Sequence, residues 1–134
     1  MGAHPFAEVA LPLPVDQLFT YAIPEALAER AVPGMRVTVP LRNKIETGYI
    51  VSLSDSSPVE SPRRIIDLPD RKPVFASEMI RLCRWIADYY CCSLGEALQN
   101  AVPAGLKMRT TMRYTLQTEL LTAGRYSERQ RKVI

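Results

Sequence analysis

The stretch of sequence that decides the fold spans residues 35–53 and reads MRVTVPLRNKIETGYIVSL. Apolar side chains alternate with polar ones over residues 35–39, and a second strand-like run covers residues 47–53. Such alternation is typical of a sheet that keeps one face in water. Arg36 and Thr38 are therefore expected to point to solvent.

The loop between these two strands carries Arg42, Asn43 and Lys44, so the stretch predicts a β-hairpin with a basic tip. Residues 24–31 are expected to form a short helical turn before a Pro-Gly pair. Three further strand-like runs cover residues 7–13, 18–23 and 63–68. Several short strands at this spacing predict a small curved antiparallel sheet or a barrel-like unit.

The second half of the chain changes its hydrophobic period from that of a strand to that of a helix. The spacing predicts a helix over residues 78–90 with Ser77 as its N-cap. Ser93 and Glu96 have the spacing of a capping box, which predicts a second, shorter helix that ends before Pro103. The helical periodicity of the first helix is carried by Met79, Leu82, Cys83, Ile86, Tyr89 and Tyr90. The sequence therefore predicts an α+β fold in which two packed helices follow a β-rich half.

The C-terminal end differs in charge from the rest of the chain. Residues 1–104 carry 10 basic and 12 acidic groups, whereas residues 105–134 carry 7 basic and 2 acidic ones. A β-like run over residues 108–118 and a capped helix-like run over 127–134 suggest a second unit. We expect one domain over residues 1–106, and a linker with the beginning of another domain over 107–134.

Several functional classes are disfavoured by what the sequence lacks. No apolar run approaches the roughly 18 residues of a membrane span, and no secretory signal opens the chain, so a cytoplasmic location is expected. The single histidine, His4, leaves no Ser-His-Asp or Cys-His arrangement, and three cysteines without a Cys-x-x-Cys motif indicate no metal site. We therefore expect no catalysis and no cofactor within these residues.

Binding is the remaining class of function. Basic side chains cluster in the predicted loops and strand ends of the β half: Arg42, Lys44, Arg63, Arg64, Arg71 and Lys72. Small β-barrels hold a nucleic-acid backbone with such groups while an aromatic ring stacks on a base. Tyr21 and Tyr49 lie on the same side of their predicted strands as the apolar residues, which favours a place in the core. Phe19 could either pack in the core or stack on a base. Trp85, Tyr89 and Tyr90 are expected to pack in the core, because an aromatic stripe at helical spacing usually does.

Blocks of sequence spread along the chain resemble a known family. They are Val9-Ala10-Leu11-Pro12-Leu13-Pro14, Leu18-Phe19-Thr20-Tyr21, the run from Pro33 to Pro40, Gly48-Tyr49-Ile50-Val51, Arg84-Trp85-Ile86-Ala87-Asp88-Tyr89-Tyr90, Leu94-Gly95-Glu96-Ala97-Leu98 and Val102-Pro103. Taken together and in order, they resemble the opening of the PriA family, primosomal protein N′, over nearly all of residues 7–106.

The resemblance implies a DNA-binding module of a replication-restart helicase, which recognises the 3′ end of the nascent leading strand at stalled or branched forks. A winged-helix domain and a helicase core would follow, with the phosphate loop and zinc-binding cysteines after Ile134. The parent protein would be an ATP-dependent helicase that moves 3′ to 5′ and uses ATP, Mg and Zn. Branched DNA and single-strand 3′ ends are the implied ligands, and primosome proteins and single-strand binding protein the implied partners of the parent.

The resemblance also implies a pocket for the terminal nucleotide. It contains an aromatic and an acidic residue in a Phe-Asp-Tyr block, a small residue after the Val-Pro strand, and a lysine further on. Phe19 matches the aromatic residue, whereas Thr20 stands where the family often has aspartate. A carboxylate that would accept a hydrogen bond from the 3′-hydroxyl is thus replaced by a neutral hydroxyl. Asp16 is an alternative acid if its loop folds back.

The remaining positions of the implied pocket are basic here. Arg42 occupies the approximate position of the small residue, where it would narrow or close the pocket. The family lysine falls near Arg63 or Arg64, and Arg64 and Lys44 are expected to contact phosphates. Thr20 as an ordinary strand residue and Arg42 as a solvated loop charge are the alternatives.

A second hypothesis comes from another functional class. The chain would then be a protein-interaction or scaffold domain that orients a helicase core through the helix over residues 78–90, with only non-specific DNA contact. The two hypotheses differ in salt dependence, because neutralised phosphates release counterions and binding weakens as salt rises.

Overall fold

The computed structural model describes residues 4–103 and Gly105. Four strands are followed by two helices, with one short 3-10 helix over Glu25–Leu27. The bounds are β1 Phe6–Ala10, β2 Phe19–Ala22, β3 Arg36–Leu41, β4 Lys44–Ser54, α1 Ser77–Tyr90 and α2 Leu94–Ala101. The sheet order is β2-β1-β4-β3 and each neighbouring pair is antiparallel. The α+β prediction is confirmed, while the elements predicted over 108–118 and 127–134 lie outside the described residues.

The predicted hairpin is present and extends further than its sequence pattern indicates. Leu41 of β3 pairs with Lys44 of β4 across a turn of only two residues, so the ladder continues to the tip. Pro40 is tolerated within β3 because this strand lies at the edge of the sheet, where a missing N–H leaves no ladder bond unmade. On its other edge β4 pairs with β1, and a register shift between Glu8 and Val9 in that pairing adds local twist to the sheet.

Residues 63–68, which we call the strap, hold the two edges of the curled sheet together. Ala22 of β2 exchanges two backbone hydrogen bonds with the strap, at 2.8 and 3.0 Å, and Thr38 of β3 makes three more at 2.9, 2.8 and 3.4 Å. The prediction of a fifth strand here is wrong, because the segment crosses from one edge to the other and makes only an isolated bridge at each. The four strands and the strap thus form a curled half-barrel.

The sheet separates two hydrophobic clusters. The first fills the concave side and includes Ala7, Val9, Leu11, Tyr21, Ala31, Met35, Val37, Val39, Ile50, Ile65 and Leu68. The second lies between the other face and the helices and includes Ala10, Tyr49, Val51, Phe75, Ile80, Cys83, Ala87, Leu94, Ala97, Leu98 and Val102. Alternate residues of the same strands, such as Ile50 and Val51, enter different clusters because strand side chains alternate between faces.

Arg36 is buried rather than solvated, so the prediction that it points to water is wrong. Its Nε donates to Asp70 Oδ2 at 2.7 Å and its Nη2 donates to Asp70 Oδ1 at 2.8 Å. The alternation correctly places Arg36 on the face opposite Val37, but that face is covered by the residues that lead into α1. A guanidinium in such a place needs a carboxylate partner, since an unpaired buried charge costs several kcal/mol, about 3–5 when one partner is removed.

The two helices form a hairpin against the sheet. α1 begins one residue earlier than predicted, and its N-cap is Ala76 rather than Ser77, with no side-chain cap. The capping box predicted for α2 is confirmed: the Ser93 hydroxyl accepts from the Glu96 N–H, and the Glu96 carboxylate accepts from the Ser93 N–H, both at 3.1 Å. Burial raises the pKa of the Cys83 thiol, which packs in this layer.

Gly95 sits where α2 touches the chain that leaves β1. A Cβ at this position would lie 1.7 Å from the carbonyl oxygen of Leu11, which belongs to the backbone and cannot rotate away. We expect Gly95→Ala to destabilise the domain by about 3 kcal/mol or more, the upper end for overpacking. The measurement is the urea unfolding midpoint followed by circular dichroism. Gly105→Ala is the matched control, since nothing lies within 4 Å of its Cβ, and equal midpoints for the two variants would contradict the packing described.

Candidate functional site

An open pocket lies where β2 starts, β3 ends and the chain approaches the strap. We call it the β2 pocket, and its volume is about 420 Å³. Its lining includes Phe19, Thr20, Arg42 and Arg63, so the structure brings together four of the residues selected from the sequence. The other lining residues are Gln17, Leu18, Tyr21, Pro40, Leu41, Pro58, Val59, Ser61 and Pro62.

A second pocket adjoins the first along the hairpin. This hairpin pocket has a volume of about 590 Å³ and is lined by Leu13, Pro14, Val15, Gln17, Phe19, Leu41, Arg42, Asn43, Lys44 and Glu46. Gln17, Phe19, Leu41 and Arg42 line both pockets. Phe19 is half-buried against the concave-side cluster, so its ring is held in place at the boundary between two cavities. The two pockets therefore adjoin, and together we call them the cleft.

The tip of the hairpin is positioned by backbone geometry and by the strap. Arg42 has a φ of 54°, in the left-handed region that side-chain-bearing residues seldom adopt. The Arg63 guanidinium donates from Nη1 to the Arg42 carbonyl oxygen at 2.9 Å, which ties the first residue of the strap to the turn. The side chain of Arg42 stays exposed. The turn therefore presents one cation toward the cleft while the strap supplies another.

Tyr21 forms an inner wall of the β2 pocket. Its hydroxyl donates to the Pro40 carbonyl oxygen at 2.9 Å and its ring is buried. Burial raises the pKa of Tyr21 above its ordinary value, and the nearby Arg63 charge offsets part of that rise. Tyr49 is buried on the other side of the sheet, where its hydroxyl donates to Gln99 Oε1 at 2.7 Å. The prediction that both tyrosines belong to the core is confirmed.

Charge distinguishes the β2 pocket from its neighbours. Two arginines and no carboxylate line it, whereas Glu46 accompanies Arg42 and Lys44 in the hairpin pocket. In the described part of the chain neither Arg42 nor Arg63 is paired with a carboxylate, whereas Arg36 pairs with Asp70. An arginine that has no carboxylate partner can bind phosphate oxygens, because its guanidinium group presents two parallel N–H donors.

Thr20 and Asp16 do not meet in one site. Asp16 lines a third, smaller pocket of about 200 Å³ beside α1, together with Arg84 and Asp88. Thr20 lines the β2 pocket, and its cross-strand partner in the register is Glu8. Cross-strand partners share a sheet face. The carboxylate that lies opposite Thr20 is therefore that of Glu8, a residue that no sequence pattern distinguishes.

The other basic residues lie away from the cleft. Arg64, Arg71 and Lys72 are exposed, and none of them lines the β2 or hairpin pocket. Gln17 lines all three pockets but was missed, because a single glutamine in a loop has no distinguishing sequence pattern. The pocket residues of the loop Pro58–Pro62 were missed because this loop lies far from β3 in the sequence. It reaches the end of β3 only because the strap that follows it is bonded to the sheet.

The expectation that Trp85, Tyr89 and Tyr90 pack in the core is wrong. These side chains are 60%, 66% and 69% exposed. The buried side of α1 is formed by Ile80, Cys83 and Ala87 instead. The helical periodicity is correct, but α1 has apolar side chains on two sides. The side with the smaller residues packs against the sheet, and the side with Trp85 and Tyr89 is exposed.

Two negative findings apply to the described residues. Within residues 4–103 no group of three or more His, Cys, Asp or Glu side chains is placed to hold a metal ion. In the same part of the chain no helix has the length and apolar content needed to cross a membrane.

A curled sheet that surrounds an open cleft with arginines and an aromatic ring is typical of small nucleic-acid-binding modules. Comparison with known families is more specific. Residues 8–103 match the PriA family model described as 3′DNA-binding domain (3′BD), and the chain belongs to that family.

Curated relatives carry the same family name. The chain is 34% identical over 112 residues to replication restart protein PriA of Treponema pallidum, a match that covers 79% of this chain and 17% of the relative. It is 34% identical over 124 residues to the PriA of Synechocystis, a match that covers 90% of this chain and 15% of the relative. It is 32% identical over 109 residues to the PriA of Bacillus subtilis, a match that covers 78% of this chain and 14% of the relative. The chain thus spans about one sixth of the length of the relatives it matches.

The ionisation of Tyr21 gives a pH-dependent test of the pocket wall. Because the folded-state pKa lies above the ordinary value of 10.0, folded protein holds more protons than unfolded protein once the pH passes about 10, and stability falls there. We expect Tyr21→Phe to reduce the loss of stability between about pH 9 and pH 11, measured by urea unfolding. Arg63→Ala should raise the pKa of Tyr21 further, so that the absorbance of its phenolate appears at a higher pH. An unchanged titration of Tyr21 in this variant would contradict the proximity of Arg63.

Proposed function

We propose that the β2 pocket receives the 3′-terminal nucleotide of a DNA strand. The observation that carries this proposal is the convergence of Phe19, Thr20, Arg42 and Arg63 on one open pocket that no carboxylate lines. Phe19 stacks on the terminal base, Thr20 bonds the sugar hydroxyl, and Arg42 and Arg63 contact phosphate. Arg63 fulfils the role of the family lysine, because its guanidinium lies at the cleft whereas Arg64 does not line it.

The path of the strand away from its end follows the hairpin pocket. This second cavity shares Phe19 and Arg42 with the first and adds Lys44, so a strand that leaves the terminal site meets a further cation. Arg64 is exposed on the strap and contacts phosphate only where the DNA turns around the edge of the sheet. Asp16 lines a pocket in which Arg84 and Asp88 are its neighbours, and a role for it at the sugar hydroxyl requires movement of its loop.

The wider biological role is proposed from the relatives, which are named replication restart protein PriA. The ligand is the 3′ end of the nascent leading strand at a stalled or branched fork in the bacterial cytoplasm. The whole protein is an ATP-dependent 3′ to 5′ helicase that uses Mg and Zn and works with primosome proteins and single-strand binding protein. Residues 1–106 form its end-recognition domain, residues 107–134 the linker and the start of a winged-helix domain, and this segment itself catalyses nothing.

The decisive experiment compares DNA ends. Fluorescence anisotropy of the full chain with a fork that bears a free 3′-hydroxyl leading-strand end should show tighter, salt-sensitive binding than with the same fork bearing a 3′-phosphate. Phe19→Ala is expected to weaken binding by about 1–3 kcal/mol, the range for one stacked base. Arg42→Ala should weaken binding and reduce the salt slope by roughly 0.7–0.9.

Arg71→Ala is the matched control, since this exposed arginine lines neither pocket of the cleft. Equal losses in the Arg42 and Arg71 variants would indicate diffuse electrostatic binding and overturn the assignment of the cleft. Equal binding of both forks by the wild-type chain would leave a DNA module without end recognition. No binding at any salt would favour the scaffold hypothesis.

Thr20 determines how strongly the 3′-hydroxyl is selected. A carboxylate accepts a hydrogen bond from the hydroxyl more strongly than a neutral side chain does, and it repels a terminal phosphate. Thr20→Asp is therefore expected to increase the ratio of affinities for the hydroxyl and phosphate ends by about tenfold, or 1.4 kcal/mol. Thr20→Val should decrease the ratio while keeping the β-branched shape. Ratios that do not change in either variant would show that Thr20 is only a strand residue.

A further inference from the structure

The outer side of α1 exposes an unusual amount of apolar surface. Leu82, Trp85 and Tyr89, spaced three and four residues apart on one side of the helix, are 48%, 60% and 66% exposed. Met79 and Tyr90 extend the same surface at 40% and 69%. We call these five residues the α1 face. Contiguous exposed patches of large apolar side chains mark interaction sites far more often than scattered single residues do.

The rings of the α1 face are ordered with respect to one another. Trp85 stacks on Tyr89 with ring centroids 5.2 Å apart and planes 18° apart, and Tyr89 meets Tyr90 edge-on at 4.9 Å and 74°. Neighbouring rings therefore limit one another's rotation. A surface that is ordered before it binds loses less side-chain entropy on docking.

The composition of the surface favours a protein partner over nucleic acid. The charged residues of α1 are Glu78, Arg81, Arg84 and Asp88, two of each sign, so the helix supplies no net attraction for a phosphate backbone. Trp, Tyr, Met and Arg are the residues enriched in protein interfaces, and Lys, which is depleted there, is absent from α1. The cleft, in contrast, combines the half-buried ring of Phe19 and the buried ring of Tyr21 with an excess of positive charge.

We propose that the α1 face is covered by residues 106–121 of this same chain, which follow α2. Val102 is buried in the cluster that also contains Ile80, Cys83 and Ala87 of α1, so the backbone leaves the domain beside this helix. α1 has 14 residues and is about 21 Å long. A segment of 16 residues can extend over about 50 Å and therefore spans the helix with length to spare.

The segment has the side chains that such docking requires. Its large apolar residues are Leu106, Met108, Met112, Tyr114, Leu116, Leu120 and Leu121. Three basic residues of the same segment, Lys107, Arg109 and Arg113, match the acidic Glu78 and Asp88 on α1. Met112, Tyr114 and Leu116 alternate with polar residues, so in an extended conformation they share one side.

Docking on α1 gives the helix a role that the cleft does not explain. The face lies on the far side of α1 from the sheet, so a segment bound there fixes the direction in which the following residues leave the DNA-binding domain. The domain then sets the position of the polypeptide on one side relative to the DNA 3′ end on the other. This inference does not depend on the proposed function of the cleft.

Trp85 provides the test, because it is the only tryptophan in the chain and its emission reports directly on the α1 face. In the full 134-residue chain we expect emission at a shorter wavelength and weaker acrylamide quenching than a 60% exposed indole would give. The double variant Met112→Glu/Leu116→Glu should shift the emission to longer wavelength and strengthen quenching. Circular dichroism and binding to the 3′-hydroxyl fork should remain unchanged, since both substitutions lie outside the described domain.

Gln117→Glu is the matched control, because it adds a charge to the same segment without removing an apolar side chain, and it should leave the emission of Trp85 unchanged. Identical spectra for the wild-type chain and the double variant would overturn the proposal. So would emission that shifts on dilution, which would indicate a second copy as the occupant. Quenching of Trp85 by DNA that persists in the double variant would likewise assign the face to nucleic acid.

Discussion

Closure of the curled sheet by the strap is the constraint on which the rest of the structure depends. The edge strands β2 and β3 lie at opposite ends of the sheet order and never pair with each other. Ala22 and Thr38 instead bond the same short segment, which also buries Ile65 and Leu68 in the concave-side cluster. The strap thereby satisfies backbone groups that would otherwise remain exposed at two edges, a common route to aggregation.

The candidate site is a consequence of that closure. Arg63 is the first residue of the strap, and its bond to the Arg42 carbonyl oxygen joins the strap to the hairpin tip. Phe19 opens β2, and the 58–62 loop arrives at the same place because the strap must begin there. The cleft is therefore built from three segments that are far apart in the sequence, and its arginines come together without an accompanying carboxylate in the β2 pocket.

The two faces of the domain have different chemistry. On the side of the cleft, cations surround a single half-buried ring, as expected for a site that holds a phosphodiester and a base. On the outer side of α1, aromatic and aliphatic side chains accompany balanced charges, as expected for a protein contact. With the proposed polypeptide contact on α1 and the proposed strand end in the cleft, the domain would relate the position of that end to the rest of a larger protein.

The sequence by itself determined the parts of this protein that depend on local periodicity and local hydrogen bonding. Alternation placed β3 and β4, helical spacing placed α1, and the Ser93–Glu96 pattern placed the start of α2, because each of these signals involves residues only a few positions apart. Motif blocks in a fixed order also indicated the family, and the resemblance to that family pointed to Phe19, Thr20, Arg42 and Arg63.

Only the tertiary structure decided which faces are covered. Arg36 alternates as a solvent-facing residue should, yet the residues before α1 cover it and Asp70 neutralises it. Trp85 and Tyr89 follow a helical stripe, yet a second stripe with Ile80, Cys83 and Ala87 packs on the sheet. Residues 63–68 have the composition of a strand but form a strap. In each case the pattern reports what a segment can do, whereas burial depends on non-local neighbours that no short stretch of sequence encodes.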